Sequence, residues 1–511
     1  METEDVILEV QSITKVYTTG VVANRDVSFS VERGSIHAIV GENGAGKTTL
    51  MNVLFGLERA QGGRLLLNGK EMEVSTPEEA IRLGIGMVHQ HFMLAPDLTV
   101  AENVVLGHEP RRGLLLDHSR AVQVTEEISA QHGLHVPANA KVKDLPVGVR
   151  QRVEILKALF RKADLLILDE PTAVLTPQET DDLFVTLRRL KTNGITIIFI
   201  SHKLKEVKAI ADRVTVMREG RVVVTRTAAG MSEHEMAHLM VGRDISFDRL
   251  PAGNAGDSVL SVRHLSVTSA DGVPLLNDIT LDVHSGEILG IAGVDGNGQS
   301  ELVSVLAGLS QPSSGNVSLL GSDLTAMSIR DRHKAGLAYV PEDRLRDGVA
   351  ASSSIEDNLI VDRYDTPPYS GAVLMNYPYI HDKAREYISS LSIAVQDSRA
   401  SIESLSGGNI QKVVLARELS SKPKVLLVDQ PSRGVDVGSM ETVHGLIREQ
   451  RDAGLAILLV SADLDEVLRL ASRILVFYGG QITAEFQDVS NLQPSDLGPY
   501  MLGAKRQEAT V

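Results

Sequence analysis

The residues whose types and spacing point most directly to chemistry lie at positions 41–48, which read Gly-Glu-Asn-Gly-Ala-Gly-Lys-Thr. They fit the pattern G-x-x-x-x-G-K-[ST], in which a glycine-rich loop wraps its backbone N–H groups around phosphate oxygens. In such a loop the side chain of Lys47 reaches the outer phosphates and the hydroxyl of Thr48 holds Mg²⁺. The run Ile36 to Val40 predicts a buried strand before the loop, and Thr49 to Leu54 predicts a helix after it. This is the strand–loop–helix context that the motif requires, so we predict a nucleotide phosphate site here.

Two further groups of polar residues follow apolar runs that predict strands. Asp169 and Glu170 end one run, and His202 follows another, Ile195 to Ile200. Ligands bind outside the carboxyl ends of parallel strands, so we expect these side chains near the phosphate loop. Asp169 is then placed to hold the Mg²⁺ shell, Glu170 to polarise an attacking water, and His202 to lie beside the γ-phosphate. The alternative is structural: the two acids cap a helix and the histidine only packs.

The composition narrows the classes of protein to which the chain can belong. Its 511 residues suggest about three domains, and either half is long enough to bury a core of its own. The net charge of −15 argues against a polyanion bound over a large surface, and the absence of cysteine excludes disulfides and thiolate metal sites. We expect no signal peptide, since positions 1–5 are acidic, and no membrane-spanning segment, since the longest apolar runs fall far short of about 20 residues.

An internal repeat divides the chain into two similar halves. The phosphate loop recurs 252 positions later as residues 293–300, and residues 165–171 recur 260 positions later as residues 425–431. We place the first domain at 1–245 and the second at 256–511, joined within residues 243–257, where Pro and Gly break the periodicity. The growth of the spacing from 252 to 260 predicts an insertion in the second half, which we place at Tyr364 to Tyr379.

Alternation of strand-like and helix-like stretches predicts a parallel α/β core in each half. Two early runs, Val6 to Val10 and Val27 to Val31, alternate apolar and polar residues, as in a half-exposed antiparallel sheet. His118 to Gln131 and Arg150 to Phe160 predict helices between the phosphate loop and the acidic strand. They indicate a helical subdomain inserted into the α/β core.

Taken together, these motifs resemble the tandem ATP-binding subunit of an ABC importer that serves simple sugars or nucleosides. Residues 41–48 match the Walker A motif, 165–170 match Walker B, Gln90 matches the Q-loop and His202 the H-loop. Residues 405–409, Leu-Ser-Gly-Gly-Asn, match the ABC signature immediately before a predicted helix, Gln411 to Leu419. Tyr17 lies where the family stacks an aromatic ring on adenine. The resemblance covers nearly all of the chain.

The resemblance implies a fold of two tandem P-loop ATPase domains, each with a parallel α/β core, an antiparallel β subdomain and an inserted helical subdomain. It implies ATP and Mg²⁺ as cofactors, with Glu170, His202, Gln90 and Lys47 catalytic and with Thr48, Gln90 and Asp169 around the metal. The residues that it implies for nucleotide binding are Tyr17, Gly41, Glu42, Asn43, Gly44, Ala45, Gly46, Lys47, Thr48, Thr49, Ser406, Gly407 and Gly408.

The sequence also departs from the family pattern, and the departures are grouped. Pro146 stands for the signature serine of the first half. The second half replaces the Walker A lysine by Gln299, the basic glutamate by Gln430, the switch histidine by Ala462 and the Q-loop glutamine by Glu342, and Ser269 or a neighbour falls at the adenine platform. The family pairs its domains head to tail, so that each ATP lies between the Walker motifs of one half and the signature of the other. On that pairing one composite site is intact and the other is degraded on both faces.

The resemblance further implies partners and a location. The implied partners are transmembrane permease subunits and, through them, an extracytoplasmic solute-binding protein. No nucleic acid is implied. The implied location is peripheral, at the cytoplasmic face of the cell membrane. Residues 296–300 resemble the nucleoside-importing branch more than the sugar branch, so a nucleoside is favoured. The alternative function is a soluble tandem ABC ATPase acting on ribosomes or nucleic acid. The acidic chain and its short uncharged linker disfavour that alternative.

Overall fold

The computed structural model divides into two compact units, residues 1–245 and 246–511, and each is described by itself. The described residues are 6–18, 20–90, 92–113, 115–172, 175, 177–243, 249, 255–269, 271–294, 296–371, 373–395 and 397–507. Most of the linker predicted at 243–257 lies outside this part of the chain, as do His91 and Asp295 of the predicted loops. Arg249 is described, and its guanidinium donates to the carbonyl oxygens of Val489, Ser490 and Leu492 within the second unit.

The first unit contains an antiparallel sheet, a mainly parallel sheet and helices around them. Its elements are β1 Val6–Val16, β2 Val22–Glu32, β3 Ile36–Val40, α1 Lys47–Leu54, β4 Gly62–Leu67, β5 Lys70–Met72, α2 Pro77–Arg82, β6 Ile85–Val88, α3 Val100–Val105, β7 Arg111–Arg112, β8 Leu115–Leu116, α4 His118–His132, α5 Val147–Phe160, β9 Leu165–Asp169, α6 Pro177–Thr192, β10 Thr196–Ile200, α7 Leu204–Ile210, β11 Arg213–Arg218, β12 Arg221–Thr227 and α8 Glu233–Val241.

The six-stranded sheet of the first unit determines where the candidate site lies. Its order is β12-β11-β3-β10-β9-β6, and every pair is parallel except β11 with β12. All residues of β3, β9 and β10 are buried, as the apolar runs predicted for strands covered on both faces. In register, Ile200 at the end of β10 lies beside Asp169 on one side, and β10 pairs with β3 on the other. The carboxyl ends of β3, β10, β9 and β6 therefore share one edge.

Two smaller layers complete the first unit, and both were predicted. The antiparallel sheet β2-β1-β4-β5 packs its alternate apolar residues, such as Ile7, Val10 and Val27, against α1 and the parallel sheet. Helices α3, α4 and α5 form the helical subdomain, with Ala101, Val105, Ala121 and Ala138 in its core. α5 begins at Val147, three residues before the predicted start, because Pro146 occupies the N-cap position.

The second unit repeats this architecture. Its elements are β13 Ser258–Thr268, β14 Pro274–His284, β15 Ile288–Ala292, α9 Gln299–Ala307, β16 Ser314–Leu319, β17 Ser322–Asp323, α10 Ile329–Ala335, β18 Leu337–Val340, α11 Ile355–Ile360, α12 Tyr377–Ser390, α13 Gly407–Ser420, β19 Val425–Asp429, α14 Val437–Asp452, β20 Ala456–Val460, α15 Leu464–Leu470, β21 Arg473–Tyr478, β22 Gln481–Phe486 and α16 Pro494–Met501. The sheet orders, β14-β13-β16-β17 and β18-β19-β20-β15-β21-β22, match those of the first unit strand for strand. The predicted fold class is confirmed.

The extra residues of the second half are divided among three places. β6 and β18 end 252 positions apart, whereas α3 and α11 begin 255 positions apart. α4 and α12 begin 259 positions apart, and α5 and α13 begin 260 positions apart. Three residues are thus added before α11, four between α11 and α12, and one between α12 and α13, so the insertion predicted at 364–379 accounts for only four of the eight added residues. Sequence spacing between distant motifs reports only the sum of such additions. Among the described residues, no helix is both long and apolar enough to cross a membrane.

Candidate nucleotide site

The phosphate loop connects the end of β3 to the start of α1, and its glycines allow the chain to pass close to neighbouring backbone. Gly46 has a φ of 91°, in the left-handed region, and a Cβ there would lie 2.2 Å from the carbonyl oxygen of Ala23. A Cβ at Gly41 would lie 2.5 Å from the carbonyl oxygen of Met217. By contrast, nothing lies within 4 Å of the equivalent point on Gly44. Neighbouring backbone thus packs against one side of the loop and leaves the side at Gly44 open, as a phosphate-binding loop requires.

Lys47 is buried inside this loop. Its Nζ donates to the carbonyl oxygens of Gly41, at 2.7 Å, and Glu42, at 2.9 Å. These two hydrogen bonds partly offset the desolvation of the buried ammonium. The loop therefore presents a fixed positive charge at its centre, which suits the terminal phosphates of a nucleotide.

Glu170 brings the predicted catalytic residues together. Its carboxylate accepts a hydrogen bond from Gln90 Nε2 at 3.1 Å and lies 3.0 Å from His202 Nδ1. Glu170 itself has a φ of 47°, an unusual value for a residue with a side chain. Burial acts to raise the pKa of Glu170, but the hydrogen bond and charge of His202, with Lys47 and Lys203, lower it overall. At neutral pH the carboxylate is ionised and fixed on both sides.

Asp169 lies at the end of β9 and is almost fully buried. Burial, followed by the charge of Glu170, raises its pKa to about 6, although the Thr48 hydroxyl and Lys47 act in the opposite direction. A desolvated carboxylate next to a hydroxyl provides the hard oxygen donors that divalent cations prefer. Mg²⁺ is commonly bound by one or two such groups together with phosphate oxygens. The residues Thr48 and Asp169 therefore fit the predicted metal role, whereas the hydrogen bond of Gln90 is with Glu170.

Tyr17 lies just after β1, and its hydroxyl is 3.3 Å from Thr49 Oγ1 of α1. The ammonium of Lys15 lies 5.2 Å from the centre of the Tyr17 ring. In the second unit the same turn is made by Ser269, whose N–H donates to Val273 as that of Tyr17 donates to Val21. The predicted aromatic position is thus beside the phosphate loop in the first unit, and its counterpart in the second is a serine.

The second unit keeps the shape of the loop without its charge. Gln299 is buried, and its Nε2 donates to the carbonyl oxygen of Val294 at 3.3 Å, in place of the contact of Lys47 with Glu42. Asn297 donates to Val294 at 2.8 Å and accepts from the N–H of Gly479 at 2.8 Å, which ties this loop to the turn between β21 and β22. The first unit has Ala45 at the position of Asn297, so it lacks the side chain that makes this link.

The other second-half counterparts also pair differently. Gln430 has a φ of 51°, so its backbone repeats that of Glu170, but its Oε1 accepts from the backbone N–H of Ala462 at 2.9 Å. Glu342, at the place of Gln90, forms an ion pair with Arg433. Ala462 and Gln430 thus stand where the first unit has His202 and Glu170.

The predicted signature of the second unit lies at the start of α13. Ser406 is the N-cap, and its Oγ accepts from the side-chain Nδ2 of Asn409 at 2.9 Å. A Cβ on Gly408 would lie 2.1 Å from Ser439 Oγ, and one on Gly407 would lie 2.3 Å from Arg344 Nη2. α13 begins at Gly407, four residues before the predicted start, because both glycines are helical. In the described part of the structure, the N–H groups of Gly407 and Gly408 donate to no backbone or side-chain oxygen.

The same position in the first unit is arranged differently. Pro146 is the N-cap of α5 and makes no side-chain cap, and the N–H of Gly148 donates to the carboxylate of Glu179 at 3.1 Å. Gly148 and Glu179 are 31 positions apart, as are Gly408 and Ser439. A carboxylate in one unit thus stands where the other unit has a hydroxyl.

Comparison with known proteins identifies the family to which the chain belongs. The family model described as ABC transporter matches residues 24–173 and 276–433, one segment in each unit. The chain belongs to the ABC transporter family. It is 42% identical over 504 residues to a guanosine import ATP-binding protein of Bacillus subtilis, covering 98% of both chains. It is also 42% identical to a nucleoside import ATP-binding protein of Lactococcus lactis, covering 95% of this chain and 96% of that one. A glucose import ATP-binding protein of Haloferax volcanii is 43% identical, with 94% and 93% covered.

Solved structures show the same ABC fold over most of this chain. An archaeal ribosome recycling factor, solved with the ribosomal stalk protein aP1, superposes with a TM-score of 0.60 at 20% identity, covering 92% of this chain and 89% of that one. At that identity the likeness concerns the fold alone. The chain is an ABC-type ATPase that binds ATP, and the predicted family and enzyme class are confirmed.

The structure adds contacts that the sequence analysis did not predict. Glu179 contacts Gly148 although it lies outside every recognised motif. Asn297 lies within the repeated loop at 293–300 and Arg344 follows Glu342 by two positions, but their contacts with Gly479 and Gly407 were not predicted. Aligning the two halves residue by residue would have exposed Glu179 against Ser439 and Ala45 against Asn297. Arg344 lies in a segment between β18 and α11 that is three residues longer than its counterpart in the first unit.

Proposed function

We propose that this ABC-type ATPase is the energy-supplying subunit of an importer for a small solute, with a nucleoside favoured, and that it has one catalytic ATP site per chain. The observation that carries the proposal is the placement of Glu170 between Gln90 and His202, beside the loop that holds Lys47. Each of these residues is replaced in the second unit. The catalytic nucleotide is therefore assigned to the Walker motifs of the first unit.

The chemistry assigned to the first unit follows from its contacts. The loop N–H groups and Lys47 bind and orient the phosphates, and Tyr17 provides a face for the base. Mg²⁺, held through Thr48, Asp169 and Gln90, would neutralise charge on the phosphate oxygens. Glu170 is ionised and held by two neighbours, so it can accept a hydrogen bond, and then a proton, from a water directed at the γ-phosphate. His202 and Gln90 keep that carboxylate in place.

The second unit is proposed to be much slower or inactive in hydrolysis. Loss of a positioned base costs about 10²–10⁴ in rate, and a carboxamide at Gln430 cannot accept a proton. Replacing a charge-assisted bond by that of Gln299 costs about 1.5–3 kcal/mol of phosphate binding. Backbone N–H groups at Gly296 and Gly298 remain, which supports a nucleotide-binding or purely structural role.

The catalytic site is proposed to be completed by Ser406, Gly407 and Gly408 in the head-to-tail pairing of the family. The free N–H groups at the start of α13 and the partial positive charge of that helix suit a γ-phosphate. Pro146 lacks both a hydroxyl and an N–H at the equivalent place. The grouping of intact motifs on one pairing and of replaced motifs on the other supports this assignment.

The proposed partners are transmembrane permease subunits and, through them, an extracytoplasmic solute-binding protein. The chain would then lie peripherally at the cytoplasmic face of the membrane and bind no nucleic acid. The guanosine and nucleoside importers among its relatives support a nucleoside, as does the likeness of residues 296–300 to that branch. The glucose relative is as similar, so the solute is tested directly.

The test reconstitutes the chain with its permeases in vesicles and measures ATP hydrolysis with solute-binding protein loaded with a nucleoside or with a pentose. We expect the nucleoside-loaded protein to stimulate hydrolysis and the pentose-loaded protein not to. The reverse result would assign the importer to sugars. Stimulation by ribosomes or nucleic acid in place of permeases would support the soluble alternative and contradict import.

A further inference from the structure

The two signature helices differ in what lies against their first turn, although they occupy equivalent places in their units. α5 and α13 are both 14 residues long, so each presents unpaired N–H groups and a partial positive charge at its start. In α13 the N-cap is a serine and the neighbouring group on α14 is the hydroxyl of Ser439. In α5 the N-cap is Pro146 and the neighbouring group on α6 is the carboxylate of Glu179.

The contact of Glu179 is specific to this turn of α5. Its Oε1 accepts from the N–H of Gly148 at 3.1 Å, and a Cβ on Gly148 would lie 2.6 Å from the same oxygen. The carboxylate therefore lies directly over the second residue of the helix, in a half-buried position. A negative charge at this place is stabilised by the helix N-terminus in the same way as a phosphate oxygen would be.

The other charged groups near each helix start do not reproduce this contact. Around α5, Arg150 donates to the carbonyl oxygens of Leu145 and Lys143, and Arg152 pairs with Asp182. Around α13, the Arg344 guanidinium lies against Gly407 and donates to the carbonyl oxygens of Arg433 and Gly434. Asp436 caps the next helix by accepting from the N–H and hydroxyl of Ser439. The carboxylate of Asp436 is thus directed to α14 and accepts no bond from the Gly408 N–H.

We propose that Glu179 is a built-in anion that occupies the start of α5 and keeps the terminal phosphate of a nucleotide away from the first-half signature. The inference rests on the proposed head-to-tail pairing, because that pairing is what would bring a nucleotide to α5. On this proposal, two residues and not one prevent the first-half signature from binding a phosphate. Pro146 removes the hydroxyl donor, and Glu179 supplies a competing negative charge.

The first arm of the test restores a neutral group in the first half. Glu179→Gln keeps the size and removes the charge, and Asp182→Asn is the matched control, since it neutralises an exposed acid on the same helix that pairs with Arg152 of α5. ATP binding to the full chain is measured by equilibrium dialysis up to about 5 mM, above the usual range of KM. We expect Glu179→Gln to tighten the weaker class of sites at least about tenfold, or to create one, and Asp182→Asn to leave both classes unchanged.

The second arm places the carboxylate in the intact signature. Ser439→Glu should lower kcat/KM for ATP at least about tenfold, whereas the neutral Ser439→Gln should stay within about threefold of the parent. If Glu179→Gln leaves the weaker class unchanged or undetected, the inference is overturned while the pairing stands. If Ser439→Glu and Ser439→Gln behave alike, α13 does not meet a phosphate, and the pairing itself is refuted.

Discussion

Replacing Glu170 by Gln exchanges one carboxylate oxygen for an NH₂ group at the centre of the proposed catalytic cluster, which Glu170 forms with Gln90 and His202. In the parent the carboxylate accepts from Gln90 Nε2 and meets His202 Nδ1, so both of its oxygens face nitrogen atoms. A carboxamide has one acceptor oxygen, and its NH₂ group would face one of these nitrogens. Rotation of the Gln90 amide, or a change in the His202 tautomer, can restore the pairing. The structural cost is therefore at most about one hydrogen bond, about 1 kcal/mol.

Loss of basicity is the larger effect. A carboxamide cannot accept a proton from the attacking water, and a positioned base contributes about 10²–10⁴ in rate, or about 3–5 kcal/mol. The backbone should not resist the change, since Gln430 already holds a glutamine at a φ of 51°, close to the 47° of Glu170. We therefore expect Glu170→Gln to bind ATP and Mg²⁺ almost normally and to hydrolyse ATP about 10²–10⁴ times more slowly.

Single-turnover hydrolysis of γ-labelled ATP measures this rate, and equilibrium dialysis measures the binding. Gln430→Glu is the matched control, and it should not create a fast second site, because Gln299, Ala462 and Pro146 remain. A Glu170→Gln protein that hydrolyses at more than about a tenth of the parent rate would show that another group activates the water. A Gln430→Glu protein that doubles the turnover would contradict the assignment of a single catalytic site.

Three other outcomes follow from the same contacts. Ser406→Arg places a long cation at the N-cap of α13 and should stop hydrolysis while ATP still binds at Lys47. Labelled-nucleotide binding measures the affinity and steady-state hydrolysis measures the turnover. A variant in which both are unchanged would rule out the role of this serine. Gly46→Ala puts a Cβ 2.2 Å from a carbonyl oxygen at a φ of 91°, so ATP binding should fall below detection, whereas Gly44→Ala meets no atom within 4 Å and carries only the backbone strain of its φ of 84°, so it should weaken binding less. Burial, and then the charge of Arg213, lower the pKa of His37 to about 4, so the unfolded chain binds a proton between pH 6.5 and 4 that the folded chain does not. The free energy of unfolding of the first unit should therefore fall by about 2 kcal/mol from pH 7 to pH 5, and urea titrations of His37→Gln should show a smaller fall.

The sequence predicted the parts of the fold that depend on local patterns. The strands before Gly41 and through Asp169 were predicted because a run of buried residues between glycine or proline signals has few other structures available. The meeting of Glu170 and His202 was predicted because parallel strands bring their carboxyl ends to one edge, whereas Gln90 was placed with them only by the resemblance to the Q-loop. The α13 start was predicted four residues late, since glycine lowers helix propensity and here tertiary contacts with Ser439 and Arg344 override it.

Features that depend on contacts between distant segments were beyond the sequence. The bond from Gly148 to Glu179 joins residues 31 positions apart, and the link from Asn297 to Gly479 spans 182 positions. Comparing the two halves marks Glu179 and Asn297 as positions that differ, but their partners Gly148 and Gly479 cannot be inferred from spacing. The split of the added residues around α11 was hidden for a related reason, because only the helix positions show where each addition lies.

The assignment of one catalytic site to the first unit is tested most directly by comparing steady-state ATP hydrolysis of Lys47→Ala and Gln299→Ala in the permease complex. Both residues are buried in equivalent loops, and both contact a loop carbonyl, but only Lys47 carries a charge to lose. We predict that Lys47→Ala abolishes hydrolysis and transport, and that Gln299→Ala retains most of both. Equal losses in the two variants would contradict the assignment.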